Sequence, residues 1–156
     1  MTDIQQLYQD VILDHYRNPR NRGPLVGCTH TASGKNPMCG DRVDIHLDLD
    51  PERVRAVCFE GEGCAISQAS ASMLSEAVSG ATVTEARRLA AVFQSMLDGS
   101  DPSDDALLLR QLAVFVGVRG FPSRVGCARL AWTTLLDALA SAEPVVRDGE
   151  SLTAGR

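Results

Sequence analysis

The spacing of apolar and polar positions changes along the chain, and each change of period marks an element. Ile4, Leu7, Tyr8, Val11, Ile12 and His15 recur three and four residues apart, which predicts an amphipathic helix over 3–17. Asn18-Pro19 ends it, because a residue before proline avoids the helical region. His15 then falls near a helix C-terminus, where positive charge is favoured, and reads as a half-buried cap residue. A basic, turn-rich loop follows over 17–24, and 25–35 is expected to hold a short first strand. Val43, Ile45, Leu47 and Leu49 alternate with Asp44, His46 and Asp48, the pattern of a strand with one buried and one wet face. That places His46 on the wet face, as a surface residue and not a ligand. Asp50-Pro51-Glu52 turns the chain. Val54 to Phe59 returns as a third strand, antiparallel because the connection is so short.

Beyond Phe59 the period lengthens. A helix is expected over 66–78, stopped by Gly80 and built of small residues (Ser67, Ala69, Ser70, Ala71, Ser72) that allow close packing against the sheet. Thr82 and Glu85 have capping-box spacing, and the helix they open runs to Leu97 with Leu89, Val92, Phe93, Met96 and Leu97 as its apolar stripe. Residues 99–102 read as a loop, 103–116 as a helix and the glycine-rich 117–126 as another loop. A last helix is expected from about Cys127 to Ala142, with Leu130, Leu135, Leu136 and Leu139 turned inward. The architecture is α+β: an N-terminal helix, a small three-stranded antiparallel sheet, and a run of helices covering one face. Residues 1–142 form a single domain on this reading, and the polar stretch 143–156 a mobile tail.

Composition narrows the function classes. With 156 residues, 44% hydrophobic and 22% charged, the chain has the balance of an ordinary soluble globule with a real core. A net charge of -5 with no compensating basic run argues against nucleic acid as the main partner. The apolar runs are too short to span a membrane, and Met1-Thr2-Asp3-Ile4 lacks the regions of a signal peptide. The expectation is a cytoplasmic protein with no membrane partner. Five cysteines is an odd number, which argues against a disulfide framework. In a reducing compartment spaced cysteines more often bind metal or do chemistry.

Three of the five stand in unusual contexts. Cys39 lies in Asn36-Pro37-Met38-Cys39-Gly40-Asp41, where Pro37 and Gly40 bend the backbone so that Cys39 and Asp41 can converge. Cys64 follows Gly63 and opens a helix, and Cys127 follows a loop and opens another. A helix N-terminus favours thiolate over thiol. Three cysteines and one aspartate make four ligands, the number a tetrahedral metal takes. Cys28 and Cys58 read instead as plain small core residues. Gly61-x-Gly63-x-x-Ser67 has part of a dinucleotide fingerprint, but its third glycine is replaced by Ser67 and its strand belongs to a hairpin, so that reading is rejected.

The longer motifs point further. Val11-Ile12-Leu13-Asp14-His15-Tyr16-Arg17-Asn18-Pro19-Arg20-Asn21, the Asn36–Asp41 segment, Gly61-Glu62-Gly63-Cys64-Ala65-Ile66-Ser67-Gln68-Ala69-Ser70-Ala71-Ser72-Met73 and Phe121-Pro122-Ser123-Arg124-Val125-Gly126-Cys127-Ala128 resemble, in order and over nearly the whole chain, the IscU/NifU-N/SufU superfamily of iron–sulfur cluster assembly proteins. The resemblance implies a SufE/NifU-like scaffold fold and carries the family's metal positions onto Cys39, Asp41, Cys64 and Cys127. The scaffold branch has a histidine before the last cysteine; here that position is Gly126, and no histidine follows His46. That feature and the long segment between Cys64 and Cys127 resemble the SufU branch, a zinc protein that accepts sulfur from a cysteine desulfurase. Arg124 matches that branch's arginine near the last cysteine.

Three function classes follow. The favoured one is a zinc-bound sulfur carrier with sulfurtransferase-type activity. It takes persulfide sulfur from a SufS-type cysteine desulfurase onto Cys39, with Asp41 and Arg124 assisting, and passes it to a downstream iron–sulfur assembly complex. The second is a scaffold on which iron or an iron–sulfur cluster is held by the same four residues. The third is a structural zinc protein. Three thiolates, a carboxylate and Zn²⁺ sum to a negative site, which Arg124 is placed to balance.

Overall fold

The computed structural model describes residues 3–99 and 112–140. Its elements are α1 (Asp3–Arg17), β1 (His30–Asn36), β2 (Asp41–Leu49), β3 (Val54–Glu62), α2 (Ala65–Val78), α3 (Val83–Leu97), a 3-10 helix (Leu112–Gly120) and α4 (Pro122–Ala140). The three strands form one antiparallel sheet in the order β1-β2-β3. The first strand begins later than the sequence suggests. Residues 24–29 instead carry the chain across from the far side of β3, where Arg22 bridges Phe59 in parallel.

The alternation in β2 does what its pattern requires. Val43, Ile45 and Leu47 are buried, as are Val57 and Phe59 opposite them on β3. The other face holds ion pairs: Arg42–Asp44 at 2.8 Å, Arg55–Asp48 at 3.0 Å and His46–Glu60 at 2.8 Å. His46 lies on this outer face as expected, though between Thr31 and Glu60 it is half-buried. The β2–β3 turn closes on Asp50, whose carboxylate accepts the Glu52 and Arg53 N–H groups.

The helices cover the inner face of the sheet. α4 lies on β1 and β2, α2 lies on β3, and α1 and α3 pack on α2 and α4 from outside. The small residues of α2 therefore meet neighbours on several sides, not the sheet alone. Ser67 through Ser75 are buried along the helix, and the Ser70 hydroxyl donates to the Ala128 carbonyl at 2.7 Å, tying α2 to α4. α1 is joined to α2 through His15, whose Nδ1 lies 2.8 Å from the Ser72 hydroxyl. His15 is thus a buried packing residue between two helices, not a half-buried cap. The Thr82–Glu85 capping box is present in both directions. The far end of the core stacks Trp132 on Phe93 at 4.8 Å, with Phe115 edge-on to Phe93 at 5.7 Å.

Two expectations about the C-terminal half need correction. Where a helix to 116 and a loop over 117–126 were expected, Leu112–Gly120 is a 3-10 helix and α4 already starts at Pro122. Buried Leu112, Phe115 and Val118 recur every third residue, the repeat that lines one face of a 3-10 helix. Proline suits the first helical position because its missing N–H has no partner there in any case. The 103–111 part of the expected helix over 103–116 and the proposed tail 143–156 lie outside the described residues.

Candidate metal centre

The β1–β2 hairpin carries the first two site residues. Asn36 accepts the N–H groups of Cys39 and Gly40 on its backbone carbonyl, at 3.1 and 2.8 Å, and that of Met38 on its side-chain oxygen at 3.2 Å. Gly40 takes φ +74, a conformation glycine adopts without strain. The result is a tight turn with an exposed Cys39 at its tip and a buried Asp41 at the start of β2. Cys64 is the N-cap of α2, in extended conformation, as its sequence context suggested. Cys127 does not open a helix. It lies inside α4, a turn beyond Pro122, and is buried, so the expected help from a helix N-terminus does not reach it.

Cys39, Asp41 and Cys127 come together, with one ligand atom of each within 4.8 Å of the others. The Cys127 and Cys39 sulfurs are 3.4 Å apart, and both thiols lie near the Ser123 carbonyl, at 3.9 and 3.7 Å. Cys64 stands outside this mutually close set, but it is joined to it: its backbone N–H donates to Asp41 Oδ1 at 3.1 Å. The other carboxylate oxygen, Asp41 Oδ2, is buried and has no hydrogen-bond partner among the described residues. An unpartnered buried acceptor is costly. One beside three thiols is the donor set of a soft or borderline cation, so these residues fit zinc.

Burial, with Asp41, Cys39 and Cys64 crowding the same space, pushes the Cys127 thiol far above its ordinary range. Arg124, one turn before Cys127 on α4, points its exposed guanidinium at the cluster. Its closeness to Cys127, with Cys64 and Cys39 also nearby, holds its proton more firmly than usual. The cation expected from the sequence therefore stands where it can offset thiolate charge.

Three contributors were not singled out beforehand. Asn36 holds the Cys39 turn and also reaches the Cys127 sulfur with its amide Nδ2 at 3.9 Å. Its Asn-Pro context, a turn signal, was the available clue. The Ser123 carbonyl faces both thiols, and nothing in a residue's identity announces a backbone carbonyl. Gly63 leaves the space that the Asp41 carboxylate and the Ser67 hydroxyl fill, since a Cβ there would collide with both.

Cys28 and Cys58 are apart from the centre, but they are not core residues either. Both are half-buried, and Cys58 pairs with His46 on the outer face of the sheet. The register explains the correction: Val57 and Phe59 point inward, so Cys58 between them points out.

The model of the NifU-like N-terminal domain family matches residues 7–139. The zinc-dependent sulfurtransferase SufU of Bacillus subtilis is 40% identical, over 90% of this chain and 95% of its own. The iron-sulfur cluster assembly scaffold protein IscU of Streptococcus pyogenes serotype M1 is 34% identical, over 89% of this chain and 86% of its own. A solved structure of a putative iron-sulfur cluster assembly scaffold protein for the SUF system, from Fervidobacterium islandicum, superposes with a TM-score of 0.80 at 32% identity, over 86% of this chain and 98% of that one. A nitrogen-fixing NifU-like protein from Brucella abortus superposes at 0.81 with 25% identity, over 93% and 100%.

Proposed function

This chain belongs to the NifU-like N-terminal domain family, and on that premise we propose that it is an iron–sulfur cluster assembly protein that carries sulfur at a zinc site. Its ligands are Cys39, Asp41, Cys64 and Cys127. Its donor is the persulfide of a cysteine desulfurase of the SufS type, and its acceptor is the downstream assembly complex, in the cytoplasm. The observation that carries this reading is the convergence of Cys39, Cys127 and an Asp41 carboxylate oxygen within 4.8 Å, beside a buried Asp41 Oδ2 that has no hydrogen-bond partner among the described residues. The similarity to a zinc-dependent sulfurtransferase supports the choice of metal and chemistry.

Zinc, when bound, keeps cysteine sulfurs deprotonated at neutral pH and brings no redox chemistry of its own. Cys39, alone among the three site cysteines in being exposed, is the acceptor. Its thiolate attacks the outer sulfur of the donor's Cys–S–SH; the donor's S–S bond breaks, its cysteine leaves as thiolate, and a new S–S bond forms on Cys39. One S–S bond replaces another, the proton on the outer sulfur stays with it, and nothing is oxidised overall. Asp41, Cys64 and Cys127 keep their places while the turn carries Cys39 outward, and Arg124 offsets the negative charge.

The test mixes each cysteine variant with persulfide-loaded desulfurase and locates the sulfur by peptide mass spectrometry. Cys39→Ala abolishes transfer, and Cys28→Ala and Cys58→Ala retain it. Sulfur on Cys64 or Cys127, with Cys39→Ala still active, overturns the assignment. The second reading, a cluster scaffold at the same residues, draws on the similarity to a scaffold protein. Elemental analysis separates the two: about one zinc per chain supports the carrier, iron with sulfide and colour the scaffold. A protein that holds zinc but accepts no sulfur is the structural zinc protein.

A further inference from the structure

Two exposed apolar residues belong to the segments that meet at the site. Among the described residues, five large hydrophobic side chains are exposed: Leu13, Tyr16, Val26, Met38 and Phe121. Two of these, Met38 at 89% and Phe121 at 65%, belong to the two segments that meet at the exposed thiol. Met38 precedes Cys39 in the hairpin turn. Phe121 precedes Pro122 at the start of α4, two residues before Ser123, whose carbonyl lies 3.7 Å from the Cys39 sulfur. Arg124 follows on the same helix turn, exposed and one turn before Cys127.

Folding does not account for either side chain. The turn at Met38 is held by the Asn36 side chain and carbonyl, and the Met38 side chain adds nothing to the core. The start of α4 is set by Pro122, and the Phe121 N–H donates to the Val118 carbonyl whatever its side chain. A single exposed apolar residue is unremarked on any surface. Methionine, an aromatic and arginine, all borne by the two segments that meet at one reactive group, are the residue types enriched at the centres of protein interfaces, with methionine the most adaptable.

We propose that Met38 and Phe121 form the docking surface for the protein that delivers sulfur to Cys39. This inference rests on the sulfur-carrier reading above. The transfer itself fixes the occupant: an S–S bond can form only when the donor's persulfide reaches Cys39 to bonding distance, and a macromolecular donor at that distance must cover the residues beside it. A small persulfide needs no such cover. The partner surface is accordingly an apolar rim around a persulfide-bearing cysteine.

The experiment compares two sulfur donors, a cysteine desulfurase and a small-molecule persulfide such as glutathione persulfide, on zinc-loaded wild type, Met38→Asp, Phe121→Asp and Val26→Asp. Val26 is 97% exposed and lies in the loop before β1, off the end of that strand opposite to the Asn36–Asp41 turn. With the desulfurase, Met38→Asp and Phe121→Asp each raise the half-saturating concentration about tenfold, leave the saturated rate within about twofold of wild type, and leave Val26→Asp as the unaffected control. With the small persulfide, all four proteins react alike. Unchanged half-saturation in both the Met38 and Phe121 variants, or an equal rise in Val26→Asp, overturns the docking surface. Slowed reaction of the Met38 and Phe121 variants with the small persulfide also overturns it, because the side chains would then serve the thiol and not the partner. A wild type that accepts sulfur from neither donor refutes the carrier reading instead, and so the two failures are distinguishable.

Discussion

Gly63 and Asp41 are packed so closely that any larger residue must displace a neighbour: a Cβ on Gly63 would lie 3.0 Å from the Asp41 carboxyl carbon and nearer still to its Oδ1. That oxygen already receives the Cys64 N–H. The approach of the β3–α2 connection to the start of β2 is therefore what aims Asp41 into the cluster. Gly63→Ala is expected to push the carboxylate aside, weaken zinc binding by tenfold or more on the scale of supporting-contact loss, and cost about 1–3 kcal/mol of stability through overpacking. Competition against a chelator with a known zinc affinity, alongside urea unfolding, measures both.

The four proposed ligands come from a hairpin, a helix cap and the C-terminal helix, so metal should act as a staple. Cys64→Ser and Cys127→Ser are expected to lose zinc and melt several degrees lower, as is the wild type after chelation. Equal melting curves with and without a strong chelator would show that the site does not hold the fold together.

Asp41→Ala is expected to separate holding metal from using it. Three thiols remain, so part of the zinc is retained, but the buried carboxylate that anchors the cluster to the Cys64 N–H is gone. Sulfur transfer should fall further than zinc content. Parallel metal analysis and persulfide assays decide it; a proportional loss of both would make Asp41 a ligand and nothing more.

Acid should loosen the α1–α2 contact. Burial, helped by the charge of Arg20, holds His15 below its ordinary value of 6.5, against weaker opposing pulls from Glu76 and Asp14. The unfolded chain takes up this proton near 6.5 and the folded chain resists it. Between those two values the unfolded state binds more protons, so stability is full above the unfolded value and falls as pH drops below it. His15→Gln should flatten the decline between pH 7 and pH 5 relative to wild type in paired melting curves. His30, also held down by burial, titrates in both proteins, so the difference isolates His15.

Thr82→Ala removes one half of the reciprocal cap on α3, where the Thr82 hydroxyl accepts the Glu85 N–H at 3.0 Å and Glu85 accepts the Thr82 N–H at 2.9 Å. The expected cost is about 1 kcal/mol in chemical denaturation, with zinc content and sulfur transfer unchanged.

Much of this molecule was legible wherever a local rule and the tertiary environment agree. The alternation from Val43 to Leu49, the Thr82–Glu85 spacing and the Asn36–Asp41 turn each declare their structure within a few residues, and each is present. The misreadings came where the two pull apart. Gly117, Gly120 and Gly126 suggested a loop, yet a 3-10 helix and then α4 form there, because buried Leu112, Phe115 and Val118 and the helix-starting Pro122 outweigh the glycines. Cys58 sits among apolar neighbours in sequence but faces outward, since strand neighbours alternate and the sequence alone did not say which set was inside. His15 pairs with a serine 57 residues away, a contact no local pattern encodes. At the metal centre, residue types exposed the thiols and the carboxylate, while the room left by Gly63 and the carbonyl of Ser123 became visible only in three dimensions.

The burial of Cys127 within α4 also sets a time order. As the chain emerges from a ribosome, Cys39, Asp41 and Cys64 are made first, and the last sulfur follows 63 positions later by residue number (127 − 64). At 5–20 residues per second that is a gap of roughly 3–13 s, during which the hairpin and α2 can form but the cluster lacks a wall. A nascent chain in that interval offers an incomplete set of the proposed donors and is expected to bind zinc weakly. Tight capture becomes a property of the finished molecule, so metal loading reports that the C-terminal helix has docked.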